Sequence, residues 1–456
     1  MKFKLLLALL FISTCAFAGQ TTFNIKYSEP LAVFVFMQNL SAHSPENVFK
    51  TKFEQSKYHT DHYKEIIKSF EQLTIDYSYS YEAYPYASKI PMQTRDILKK
   101  NMIEANGLHD FKLRSIGILP INTLNELTAS MAAFIPVYNE LIYDRNKEKF
   151  EQQLQDIRAY AKVQQVEGYF ETGLQFYDAA WDSTIPLEIA LYPFPDADWF
   201  TGQAFYNNFV CAVQPSLKDY KDLFSVMLHE IYHIVYDEQP LNLKTNIVQY
   251  FKENKSTCSN YAYLLLNEVL ATALGNGYVY EQLSGHQDNN DWYYHKYIDL
   301  MARKIYPLVK TYISEHKAID KNFIDQYIKL YATNFPGWIN EPEHIMAYRY
   351  VIAANNNDFN TINRIFRYRS YAEYETELTA ATIEKMQQTP LTKVIIVTQD
   401  HAGKLSLIQS KFKELKNRSF KPKEDFAYKT LLADKSQLII INQHKSTTES
   451  LLKSIQ

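Results

Sequence analysis

Residues 229–233 read His229-Glu230-Ile231-Tyr232-His233. Two histidines four apart lie one above the other on one face of an α-helix. Both imidazoles can therefore reach a single metal ion at nitrogen–metal distances of about 2.0–2.1 Å. Glu230 is turned by about 100° from His229, so it does not ligate with the pair but can reach a water on the metal. Such a water ionises near neutral pH on zinc, and an adjacent carboxylate can take its proton and hand it to a leaving amine. That is the chemistry of peptide-bond hydrolysis. The two histidines also interrupt an otherwise apolar helix, where polar groups need partners.

A zinc hydrolase requires a third protein ligand and one open position. The metzincin continuation of the motif is absent, because Tyr236 stands in place of its Gly and Gln239 in place of its third His. Further along the chain comes Asn267-Glu268-Val269-Leu270-Ala271-Thr272, in which Glu268 is the only acid of the apolar stretch from Tyr261 to Tyr280. A lone carboxylate between packed helices is costly unless it is paired or binds a metal. Leu264, Ala271, Thr272 and Gly275 lie on or near its face, and the small residues among them allow a close approach of two helices. Asp237 and Glu238, at the end of the HExxH helix, are the fallback ligands. His59 and His62, with Asp61, form a weaker cluster expected to be exposed.

The pairing of HExxH with a downstream NExxA resembles the gluzincin group of zinc metallopeptidases, the thermolysin-like zincins. His229, Glu230 and His233 match the first motif, and Asn267, Glu268 and Ala271 match the second. The resemblance covers residues 185–285 and implies zinc held by His229, His233 and Glu268, with Glu230 as general base. Many relatives carry an Asp where this chain has Thr272, and that Asp bonds a ligating histidine; Thr272 would do so only weakly. The resemblance also implies an edge strand above the active-site helix, for which Gly202 to Val213 is the candidate, pairing with extended substrate backbone. An oxyanion-stabilising His or Tyr is implied too, with His344, Tyr348, Tyr278 and Tyr280 as candidates.

The elements that must position these groups can be read from periodicity. Strand signals occupy Ile185 to Tyr192 and Ala204 to Val213. A capping-box-like Ser216 and Asp219 then precede a helical face running from Tyr220 to Val235, which Pro240 stops. Further helices are predicted around 260–283, 292–313 and 320–334. Before the motif, an amphipathic helix runs from Asn122 to about Val163 with a break at Pro136. Ile75, Tyr77, Tyr79 and Tyr81 alternate with polar residues and predict a strand with a tyrosine face. Near the end, Val394 to Val397 and Leu438 to Ile441 are short apolar runs, each followed by a helical pattern, as in buried strands of an α/β unit. The basic stretch from Lys411 to Lys423 reads as a solvated helix face and loop.

The fold class expected is helix-rich α+β. It comprises a signal segment (1–18), a helix-rich N-terminal region (19–175), a zincin-like catalytic domain with a small sheet above the active-site helix (176–385), and a small α/β appendage (386–456). The opening residues have a basic start, an apolar run from Leu5 to Ile12 and an Ala16-Phe17-Ala18 exit, the pattern of a secretory signal. Export to the periplasm or outside the cell follows, and Cys15 offers a less fitting lipoprotein alternative. After the signal only Cys211 and Cys258 remain, enough for one bridge or for two buried thiols. The 456 residues carry a net charge of −3, which gives no electrostatic argument for nucleic acid, and 15% aromatic content excludes disorder for most of the chain. No later run spans a membrane. The expected activity is zinc-dependent cleavage of a peptide or protein substrate. The competing expectations are an envelope binding protein on a degenerate peptidase scaffold, or a hydrolase of a non-peptide bond.

Overall fold

The computed structural model describes residues 21–195 and 201–455, so the expected signal segment lies outside the described residues. Strand β1 (Phe23–Lys26) opens the chain and is followed by helices α1 (Glu29–Leu40), α2 (Val48–Glu54) and α3 (Asp61–Glu71). A ribbon of β2 (Ser78–Tyr79) and β3 (Met92–Gln93) precedes α4 (Thr94–Glu104), α5 (Leu108–Arg114) and α6 (Ile121–Tyr138). A π-helical turn at Asn139–Tyr143 joins α6 to α7 (Asp144–Val163), and α8 (Glu167–Tyr177) follows. The break expected at Pro136 is thus taken up just after it, while the proline stays inside α6.

Next come β4 (Leu187–Pro193), β5 (Thr201–Phe205) and β6 (Asn208–Val213). They form a sheet of order β1-β4-β6-β5, parallel except for the edge strand β5, which runs antiparallel to β6. The single strand expected over Ala204 to Val213 is instead the turn and second arm of a hairpin, because Tyr206 adopts a left-handed φ of 52°. Side chains alternate across this sheet. Leu187, Ile189, Leu191, Phe209, Cys211 and Val213 face one core, shared with α7, α8 and the helices beyond. Ala190, Tyr192, Val210 and Ala212 face a second core built from α1 to α6.

Helices α9 (Lys221–Asp237), α10 (Leu241–Glu253), α11 (Ser259–Thr272), α12 (Tyr280–Ser284), α13 (Lys296–Ser314) and α14 (Lys321–Asn334) follow, with a π-helical segment at Ala273–Val279 between α11 and α12. These match the predicted helices closely. The capping box does not form: Asp219 accepts a hydrogen bond from the Lys221 amide and pairs with the Lys221 side chain.

After α15 (Pro342–Ile345) the chain lays down β7 (Tyr348–Ile352), α16 (Asn356–Ile365), β8 (Tyr371–Glu375), α17 (Ala380–Gln387), β9 (Thr392–Val397), α18 (His401–Lys411), β10 (Phe426–Leu431), β11 (Gln437–Asn442) and α19 (Thr448–Lys453). The second sheet has the order β10-β11-β9-β7-β8, with only β10 antiparallel. Both apolar runs, β9 and β11, are buried strands with a helix after each.

The architecture is therefore helix-rich α+β, but the packing divides elsewhere than at 175 and 385. Parallel pairing of β1 with β4, and burial of α7 and α8 in the same core as α9, draw the early chain into the central unit. The pairing of β7 with β9 carries the second sheet back to residue 348. The tyrosine strand shrinks to two residues. Ile75 is buried, whereas Tyr77 and Tyr79 are exposed, so the alternation has only one buried member to hold it in a sheet. Cys211 and Cys258 are both buried and not bridged to each other. Among the described residues no helix is long and apolar enough to cross a membrane.

Candidate metal centre

Helix α9 carries His229, Glu230 and His233, and its apolar positions Leu223, Met227, Leu228, Ile231 and Val235 seat it in the central core. Helix α11, equally apolar, carries Glu268. The two are locked together at Gly275, just beyond α11, where a β-carbon would lie 2.6 Å from the backbone of His229. Ser225 adds a hydrogen bond from its hydroxyl to the Gly275 carbonyl, at 3.1 Å.

This packing brings His229, His233 and Glu268 together, with one ligand atom from each within 4.8 Å of the others. Glu268 Oε2 stands 3.6 Å from His233 Nε2 and 3.8 Å from His229 Nε2. These separations are too long for hydrogen bonds. Glu268 Oε2 is in fact buried without any hydrogen-bond partner. Ligands about 2.0–2.1 Å from one tetrahedral ion would stand roughly 3.3–3.4 Å apart. The donor set of two imidazole nitrogens and one carboxylate, with an unsatisfied buried oxygen at its centre, fits a zinc ion.

The outer contacts orient these groups. His233 Nδ1 is 3.0 Å from Asn267 Oδ1; donation to that oxygen leaves Nε2 as a lone-pair donor facing Glu268. Asn276 lies beside His229 and favours its charged form, although His229 Nδ1 and Asn276 Oδ1 close no well-aligned hydrogen bond. Burial drives the His229 pKa down to about 3, with help from neighbouring His233. Burial also opposes charge on His233, but Glu268, Glu230 and the Asn267 contact outweigh it and raise its pKa. Burial pushes Glu230 up to about 7; His233 works against that rise and Glu268 adds to it.

Glu230 also touches the first sheet. A β-carbon on Gly202 of β5 would lie 3.4 Å from Glu230 Cγ, so the edge strand passes directly over the motif. The Tyr293 ring stacks on His229 with centroids 5.9 Å apart. Burial and then the charge of Glu268 raise the pKa values of both Tyr293 and Tyr368.

Of the remaining predicted residues, Thr272 is buried with its hydroxyl unpartnered and bonds neither histidine; Asn267 holds His233 instead. His344 pairs with the Tyr331 hydroxyl at 2.8 Å and sits among Tyr261, Tyr297 and Trp338, so it is a core residue rather than an oxyanion group. Tyr348 is buried within electrostatic range of Glu268. Tyr278 packs on Tyr169, and Tyr280 packs on His286, both outside the cluster. Asp237 and Glu238 are taken by Lys89, at 2.8 and 3.3 Å. His59 and His62 are exposed, and each packs on an aromatic ring. Sequence reasoning missed Asn276, Tyr293 and Tyr368. The asparagine follows Gly275 closely and was findable on helical spacing, but the tyrosines, two among 36, carried no signal.

The chain matches no family model, no curated protein and no solved structure.

Proposed function

We propose that this protein is an exported zinc-dependent peptidase of the gluzincin type, with zinc held by His229, His233 and Glu268 and Glu230 as general base. The observation that carries the reading is the convergence of two imidazoles and one otherwise unpaired carboxylate from separate helices. A zinc ion, when bound, supplies Lewis-acid polarisation of the scissile carbonyl. Glu230 takes a proton from the attacking water on its carboxylate and delivers it to the leaving amine. Strand β5 aligns the substrate. Its two-residue turn makes Phe205 and Asn208 the hydrogen-bonded closing pair, so Gly202 and Ala204 turn their N–H and C=O groups away from β6 towards the open edge. An extended peptide can pair there, directly beside Glu230, with little demand on its side chains.

The test is Glu230→Gln incubated with a mixed peptide library beside the wild type. Hydrolysis is expected to fall by at least about 100-fold with zinc content unchanged. Turnover retained in that variant would end the proposal.

A further inference from the structure

The segment joining α12 to α13 places three aromatic residues in succession beside the cluster. The His229 ring stacks on Tyr293 at 5.9 Å and 26°, and Tyr293 stacks on Tyr294 at 4.7 Å and 23°. The three rings form a ladder leading from a metal-ligand position to solvent. Its outer rung, Tyr294, is 80% exposed, the most exposed of the large apolar side chains among the described residues. Tyr368 buttresses it edge-on at 5.9 Å, and His295 stacks on Tyr368 at 3.7 Å.

The ladder is held firmly. Buried Asp299 accepts from the Trp292 amide at 2.7 Å and from Arg303 Nε at 3.0 Å. Arg303 also donates to the Asp288 carbonyl at 3.3 Å and lies over the Trp292 ring at 4.7 Å. Trp292 in turn fills the space beside Gly277, where a β-carbon would come within 2.8 Å of its ring. A tyrosine on such a support loses little freedom when it binds a ligand, and exposing its ring in the absence of one is costly.

We propose that Tyr294, backed by Tyr293, is a specificity-determining residue that stacks on an aromatic side chain of the peptide close to the scissile bond. This rests on the peptidase reading above. A peptide running along β5 passes Glu230, and the ladder starts on the ring of the neighbouring His229. Side chains of an extended peptide alternate in direction, and the one assigned here to the tyrosines lies beside the scissile bond. The rungs carry no formal charge, so they favour a flat apolar group, and offset stacking contributes about 0.5–1.5 kcal/mol, or roughly 2- to 12-fold in affinity.

The experiment digests a mixed peptide library with zinc-loaded, full-length wild type, Tyr294→Ala and Tyr294→Phe, and maps the residues flanking each cut by mass spectrometry. Wild type and Tyr294→Phe are expected to favour Phe, Tyr or Trp at one fixed position. Tyr294→Ala is expected to keep its zinc and lose that preference, with the loss appearing in KM rather than kcat for an aromatic peptide. Cuts by wild type without aromatic preference, a preference for Lys or Arg, or a preference intact in Tyr294→Ala would overturn the assignment alone. No cleavage by wild type beyond that of Glu230→Gln would overturn the peptidase reading and this one with it.

Discussion

At the residue scale the decisive contacts are those that aim lone pairs. Asn267 fixes the ring of His233 through Nδ1, 3.0 Å away, and partners of this kind set the orientation and basicity of ligating histidines. Asn267→Ala should weaken zinc binding by about 10- to 100-fold, read as earlier loss of metal to a competing chelator, with the fold unchanged by circular dichroism. The members of the His229–His233–Glu268 cluster were legible because i,i+4 histidines and a solitary acid in an apolar helix are rare enough to stand out. Their partners were not. Asn267 could be read as part of a motif but not as the group that bonds His233, since that depends on the relative rotation of α9 and α11. Thr272, expected to hold a histidine only weakly, is buried with its hydroxyl unpartnered and bonds neither one.

At the scale of elements, the site depends on how closely α9 and the π-helical end of α11 approach. Gly275 has no space for a side chain, because a β-carbon would come within 2.6 Å of the His229 backbone. Gly275→Ala should therefore destabilise the fold by about 1–3 kcal/mol, measured by urea denaturation, and should reduce zinc affinity by shifting His229 away from Glu268. The helices were legible from apolar spacing, and their ends agree with Pro240 and with the predicted ranges. The π-helical turns after α6 and α11 were not, since tertiary packing decides where one residue is inserted into a helix. The failed capping box and the shortened tyrosine strand have a similar cause. Lys221 competes for Asp219, and the residues Tyr77 and Tyr79 found no second layer to pack against.

At the scale of the molecule, the stretch from Tyr84 to Ile90 ties the N-terminal helices to the rest. Tyr86 donates to Glu373 at 2.5 Å, and its carbonyl accepts from the Tyr263 hydroxyl at 2.6 Å. Lys244, buried on α10, donates to the carbonyls of Ser88 and Tyr236. Burial lowers its pKa to about 7, with nearby Lys89 contributing and Asp237 opposing, against about 10.4 in an unfolded chain. Between those values the unfolded chain binds the extra proton, so this residue's contribution to stability rises with pH from about 7 to about 10; below 7 its full desolvation cost applies. Urea midpoints of Lys244→Met, measured from pH 7 to 9.5, should lack this rise relative to wild type. Contacts between segments so distant in sequence leave no periodic trace, which is why the boundaries expected at 175 and 385 missed the packing while the strands themselves were readable. The central claim concerns the whole chain as a metal carrier. Its most direct test is zinc analysis of purified full-length wild type beside Glu268→Ala. The account predicts about one tightly held zinc per chain in the first and almost none in the second, whereas equal zinc in both, or none in wild type after zinc loading, would contradict it.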